Sequence, residues 1–111
     1  MAVHLFNLNN FNGLMEIIAG LNFSSVKRLT PAWAKVSSKD RKVFEKLASR
    51  MAIHSNYKAY RQLFQKRAAP KLPYFAVILR DLMFVQVPIA HAYTTAHMRA
   101  PPHTADLNFQ T

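Results

Sequence analysis

The chain reads as all-α: a helical bundle followed by an irregular C-terminal tail. Three observations predict it. Apolar residues recur three or four apart through most of residues 1–85, the period of one helix face. Glycine is scarce (2 residues), while Ala, Leu, Lys, Arg and Met are common, a mixture that favours helix. Asn, Ser and Pro punctuate the apolar stretches where caps and turns belong. With 111 residues, half of them hydrophobic, one domain with a small core is the upper bound.

Met1 to Leu8 has alternating apolar residues and no clear cap, and reads as the broken end of a longer helix. The next helix organises the chain. Asn9 or Asn10 can cap it, since a short amide accepts a bond from the free N–H groups of a first turn. Phe11, Leu14, Met15, Ile18 and Leu21 make its apolar face, and Ile17 widens it. A helix this apolar must be packed on several sides. Ala19 and Gly20 are small enough to let another backbone or a partner come close.

Asn22 to Ser25 reads as a turn, with Ser24 or Ser25 capping a second helix that carries Val26, Leu29 and Trp33. Pro31 lies inside it. Proline lacks an N–H and clashes with the preceding turn, so the helix should kink or restart there, with Thr30 as a new cap. Ser37 or Ser38 caps a third helix, Lys39 to about Met51, with Val43, Phe44, Leu47 and Met51 as its buried stripe. His54-Ser55-Asn56 is a turn. The fourth helix runs from Tyr57 to about Arg67 and carries Tyr57, Tyr60, Leu63 and Phe64. Pro70 and Pro73 bracket a stiff extended link. Tyr74 to about Val85 is a last helix with Phe75, Ile78, Leu79 and Leu82 in three-four spacing. Val87-Pro88-Ile89 should end it, and Ala90 to Thr111 keeps no period; Pro101-Pro102, Thr104 and Asn108 read as loop.

No apolar run reaches the roughly 20 residues of a membrane span, and no secretory signal opens the chain. Cysteine is absent, which excludes disulfides and thiolate metal sites and fits a reducing compartment. The formal net charge is +10. Every Lys and Arg except Arg99 lies between Ser24 and Val85, a belt that attracts nucleic acid, anionic lipid or an acidic protein face.

Catalytic motifs are missing: no Gly-rich phosphate loop, no metalloprotease helix, no nucleophile elbow. The five carboxylates form no pair spaced for acid–base work. His91, His97 and His103 recur at six-residue gaps that fix no metal geometry, so neither a metal nor another cofactor is expected. Asn56-Tyr57-Lys58 and Tyr60-Arg61 have the make-up of a patch that stacks on bases. Packing under the link before Pro73 explains the two tyrosines better, because no RNA-module signature accompanies them.

The order of the pieces carries more than any one of them. Leu8-Asn9-Asn10-Phe11-Asn12-Gly13 is followed by Glu16 to Asn22, Ser24-Ser25-Val26, Arg28-Leu29 and Trp33. Asn56-Tyr57, Tyr60-Arg61, Pro70, Leu72-Pro73-Tyr74-Phe75 and Leu79-Arg80-Asp81-Leu82 come next. This series resembles the middle of the catalytic domain of Ras-type guanine-nucleotide exchange factors. The resemblance implies 1–85 as a partial catalytic domain of this kind, all-helical and bowl-shaped, and 86–111 as a tail outside the match. It implies a Ras-like small GTPase as partner, of Ras, Rap or Ral type, and acceleration of GDP release without covalent chemistry. In that scheme a helical hairpin wedges the nucleotide site open, and tighter binding to the nucleotide-free GTPase drives exchange.

Position by position, the resemblance implies a GTPase-facing surface of Met15, Ala19, Asn22, Lys27, Asn56, Tyr57 and Tyr74, with Met83 where the family has its apolar wedge. Met15 and Ala19 are four apart and share a helix face. Ile17, Ile18, Leu21, Leu29, Trp33, Phe44, Leu47, Leu79 and Leu82 would be core instead. Val87 falls where the family carries a glutamate that competes with the nucleotide phosphates, and nothing after His91 resembles the second hairpin helix. The family domain also begins before the position of Met1. The chain therefore has the look of a middle segment, with weak or absent exchange on its own. A cytoplasmic protein recruited to the inner membrane surface is expected. Two other readings stand beside this one: a non-catalytic docking module, and a basic helical binder of nucleic acid or anionic membrane.

Overall fold

A computed structural model describes residues 1–99. These form seven helices and no strand: α1 (Ala2–Asn7), α2 (Phe11–Asn22), α3 (Ser24–Lys27), α4 (Thr30–Ala34), α5 (Ser38–Arg50), α6 (His54–Lys66) and α7 (Phe75–Arg99). The all-α expectation holds. The chain divides into two units, Met1–Ile78 and a second beginning at Leu79.

The core lies in the first unit. Phe11, Leu14 and Ile18 come from α2, Leu47 from α5, Tyr57 and Tyr60 from α6, with Met51 and Val77 closing it. Phe11 and Leu14 are wholly buried. Burying side chains of this size stabilises by about 1.5–3 kcal/mol each. Phe11 stands edge-on to Phe6, Tyr60 and Phe64, so α1, α2 and α6 meet around one ring. Arg50 and Arg67 both lie over the Phe6 ring, at 5.4 and 4.6 Å from its centroid.

Local chemistry sets the helix ends. Asn10 caps α2, its side chain accepting from the Gly13 N–H at 2.8 Å. Ser37 caps α5: its hydroxyl accepts from the Asp40 N–H and donates to the Asp40 carboxylate. Pro31 divides the expected second helix into α3 and α4, as its missing N–H requires. Leu29, not Thr30, is the cap residue of α4, and the Thr30 hydroxyl turns back to the Arg28 carbonyl instead.

Three corrections follow. Leu29, expected in the core, is exposed: it lines an open groove with Val26 and Trp33 at the break before Pro31 instead of packing into the core cluster. Leu79 and Leu82, expected in the core as well, are exposed and lie in the second unit. The last helix does not end at Val87–Ile89 but continues through Pro88 to Arg99. A proline inside a helix removes one bond without forbidding the next turn, and alanines at 90, 92 and 96 favour continuation. Thr94 and Thr95 bond back to the carbonyls of Ala90 and His91, which keeps their hydroxyls satisfied within the helix. Pro101, Pro102, His103, Thr104 and Asn108 lie outside the described residues.

Residues 75–96 of α7 are also long and apolar enough to cross a membrane, by length and composition alone, although no unbroken apolar run of that length exists. Arg80 and Asp81 interrupt the run without outweighing its neighbours. Only 6% of that stretch is buried.

Candidate functional site

Three residues at the start of α2, Asn9, Phe11 and Asn12, tie the proline link to the helix. Asn9 takes a left-handed conformation (φ 57°), which an asparagine tolerates better than most residues. Its side chain donates to the carbonyls of Ala68 and Pro70, and its own carbonyl accepts from the Leu72 N–H at 2.9 Å. The Leu72 carbonyl in turn accepts from the Phe11 N–H at 3.0 Å. Asn12 accepts from the Phe75 N–H and donates to Glu16. Asn9 and Asn12 therefore hold the link from both ends while Asn10 caps the helix between them.

This staple delivers Tyr74 to the tyrosines of α6. The Tyr60 hydroxyl accepts the Tyr74 N–H at 2.8 Å, one residue past Pro73. The Tyr74 ring stands edge-on to Tyr57 and Tyr60, at 5.8 and 6.4 Å between centroids. Burial pushes the Tyr60 hydroxyl above the usual tyrosine range. Burial raises Tyr74 too, and the adjoining Tyr57 hydroxyl adds to the shift. Packing under the link, rather than base stacking, is thus what Tyr57 and Tyr60 do.

Tyr57 is buried and belongs to the core cluster. The cause is local. Ser55, Asn56 and Tyr57 all have positive φ (51°, 56° and 59°), a short left-handed turn ahead of the regular part of α6. Arg61 fastens the turn by donating from Nε to the Asn56 carbonyl at 2.9 Å. Only Asn56 of the three suits that conformation, so residue type gave little warning of it.

The other candidate residues fall in two places. Met15 and Tyr74 are half-buried and pack against the core cluster that contains Tyr57. Ala19 is exposed one turn after Met15, and beside it Gly20 is open: a Cβ built there meets nothing within 4 Å. Asn22 and Lys27 line a groove of about 460 Å³ together with Leu21, Trp33, Arg41 and Phe44. Trp33 is fixed within it: its indole N–H donates to the Val26 carbonyl at 2.8 Å, and its own carbonyl accepts from Arg41 at 2.6 Å. Met83 is exposed on α7, in the second unit. The roles of Asn9 and Asn12 escaped the sequence reading; three asparagines within four positions were the available signal.

The first unit thus pairs an aromatic core with an open small-residue face and a mainly apolar groove in an all-helical scaffold. The RasGEF domain family matches residues 1–110. Rap guanine nucleotide exchange factor 5 of Homo sapiens is 38% identical over 85 residues, 77% of this chain and 15% of that protein. Ras guanine nucleotide exchange factor A of Dictyostelium discoideum is 45% identical over 85 residues, covering 77% of this chain and 14% of its own length. The Ras-specific guanine nucleotide-releasing factor RalGPS2 of Macaca fascicularis is 38% identical over 85 residues, 76% of this chain and 15% of that protein. The chain belongs to the RasGEF domain family. It spans no more than 15% of the length of these relatives.

Proposed function

We propose that this chain is a GTPase-engaging segment of a guanine-nucleotide exchange factor for a Ras-family GTPase of Ras, Rap or Ral type. The observation that carries the reading is its 38–45% identity, over 85 residues, to proteins named as exchange or releasing factors for those GTPases. Met15, Ala19, Asn22, Lys27, Asn56, Tyr57 and Tyr74 are the proposed contacts. The edge-on contact with Tyr57 also fixes the Tyr74 ring. Met83 is the proposed wedge residue.

The chemistry is differential binding. A surface that grips the nucleotide-free GTPase more tightly than the loaded one lowers nucleotide affinity by the same factor. Soft Met15 and the small Ala19–Gly20 step suit close approach of a partner backbone. Lys27 brings positive charge to the groove rim and Asn22 an uncharged amide. The proposed place of action is the cytoplasm at the inner membrane surface.

The test measures capture of nucleotide-free against GDP-loaded Ras, Rap and Ral-type GTPases, together with GDP release. Preference for the nucleotide-free form with slow release is the expected result, since Val87 brings no charge to the phosphates. Equal capture of both forms defeats the proposal. Binding without any release favours a docking module. A second reading, contact with an anionic membrane, is favoured by the apolar and exposed stretch 75–96 and the +10 charge. Sedimentation with anionic vesicles tests it.

A further inference from the structure

Pro31 has no part in the function proposed above, and the residue before it is a threonine. Thr30-Pro31 is the only Ser/Thr-Pro dipeptide in the sequence; the other prolines follow Ala69, Leu72, Val87, Ala100 and Pro101. A kinase groove that offers no acceptor after the phosphorylated residue selects proline, because any other residue would strand its N–H there. Both Thr30 and Pro31 are exposed. They are the first two residues of α4, a helix of 5 residues that, like the 4-residue α3 before it, has no buried side chain. Trp33 anchors the later part of α4, while its Thr30 end buries nothing and can open locally, and a kinase needs its substrate extended. The Thr30 hydroxyl gives up a single exposed bond, to the Arg28 carbonyl at 3.1 Å.

We propose that Thr30 is the acceptor of a proline-directed protein kinase, and that the phosphate weakens GTPase binding through the neighbouring Lys27 and Arg28. The second half rests on the function proposed above. In the transfer, Thr30 Oγ1 attacks the γ-phosphorus of ATP. The new Oγ1–P bond forms as the bond to the β-phosphate oxygen breaks. The hydroxyl proton passes to the kinase carboxylate, and ADP leaves. The product carries a charge of about −1.5 to −2 and three strong acceptor oxygens. Arg28 lies two residues earlier and Lys27 three, so both cations are within reach of charge-assisted bonds to it. Lys27 lines the groove. Engaged by the phosphate, it no longer attracts an acidic partner face, and the added negative charge repels one.

The experiment incubates the full chain with ATP and a mitogen-activated protein kinase and locates phosphate by mass spectrometry. Phosphate on Thr30, absent from Thr30→Ala and Pro31→Ala chains whose far-ultraviolet spectra match the parent, is expected. A parent chain left unmodified at Thr30 overturns the site. Phosphorylated and unmodified chains are then compared for capture of nucleotide-free GTPase at two salt concentrations. Phosphorylation should weaken capture by about fivefold to tenfold, less at high salt. Equal capture overturns the regulatory half. If the unmodified chain captures no GTPase, the proposed function and the regulatory half both fail, while the assignment of Thr30 is decided by the mass measurement alone.

Discussion

The Tyr60 hydroxyl accepts the backbone N–H of Tyr74 across 14 residues of sequence, and that one bond joins α6 to the end of the proline link. Tyr60 is almost wholly buried, so its removal leaves the Tyr74 N–H without that partner beside the core. Tyr60→Phe keeps the ring contacts with Phe11 and Phe64 and deletes the acceptor. A loss of about 1 kcal/mol is expected. Thermal unfolding should register it as a fall of roughly 4–8 °C in Tm. An unchanged Tm would show that the bond adds nothing to the link's other ties, at Asn9, Phe11, Asn12 and Lys71.

The same two phenols predict alkaline sensitivity. Burial raises the pKa of both Tyr60 and Tyr74 above the ordinary value of 10.0. Between the unfolded and the folded pKa the unfolded chain has lost protons that the folded chain keeps, so stability falls as pH rises. The contribution is complete below the unfolded value and is lost as pH climbs through the folded one. Denaturant unfolding from pH 9 to 11 should show the fall, and Tyr60→Phe with Tyr74→Phe should flatten it. An equally steep decline in the double variant would clear these two phenols of the effect.

Asn10 and Gly13 are coupled, which gives a prediction with an unusual sign. A Cβ built on Gly13 meets Asn10 Nδ2 and Oδ1 at 3.1 Å and Cγ at 3.2 Å. Alanine is the better helix former by about 1 kcal/mol. In the parent, Gly13→Ala displaces the capping amide, so most of that gain disappears. Asn10→Ala should cost about 1 kcal/mol by itself. In the Asn10→Ala background the obstruction is gone and Gly13→Ala becomes stabilising. A double-mutant cycle by urea unfolding measures the difference; strict additivity would show that the cap moves aside freely.

How far the sequence carries the reader follows from the range of each interaction. The caps at Asn10 and Ser37 and the break at Pro31 depend on residues within one turn, and all were visible in the sequence. The stripes Phe11–Leu14–Ile18 and Leu47–Met51 were visible as well, because helix period alone defines them. Asn9 and Asn12 were not, since their partners lie about 60 residues away. The left-handed turn at Ser55–Tyr57 was not visible either, because only Asn56 of the three favours that conformation. The end of α7 was misread by giving Pro88 too much weight against the helix formers after it. Of the candidate site, the groove pair Asn22 and Lys27 and the Tyr57–Tyr74 contact came together; no sequence signal tied one set to the other.

Val87 offers the sharpest test of the proposed exchange chemistry. It is exposed on α7, so a polar replacement changes folding little. An apolar side chain cannot draw a GTPase cation away from nucleotide phosphates, whereas a carboxylate can. An electrostatic gain of about 1 kcal/mol in a partly solvated contact corresponds to roughly fivefold in rate. Val87→Glu should therefore raise GDP release several-fold over the parent chain with any GTPase that the parent binds. Val87→Gln matches the size and hydrogen-bonding reach of glutamate without its charge, and should leave the rate where it was. Equal acceleration by both would trace the effect to polarity or helix exposure rather than charge. No acceleration by either would remove position 87 from the nucleotide's neighbourhood and leave binding, without displacement, as the work of this chain.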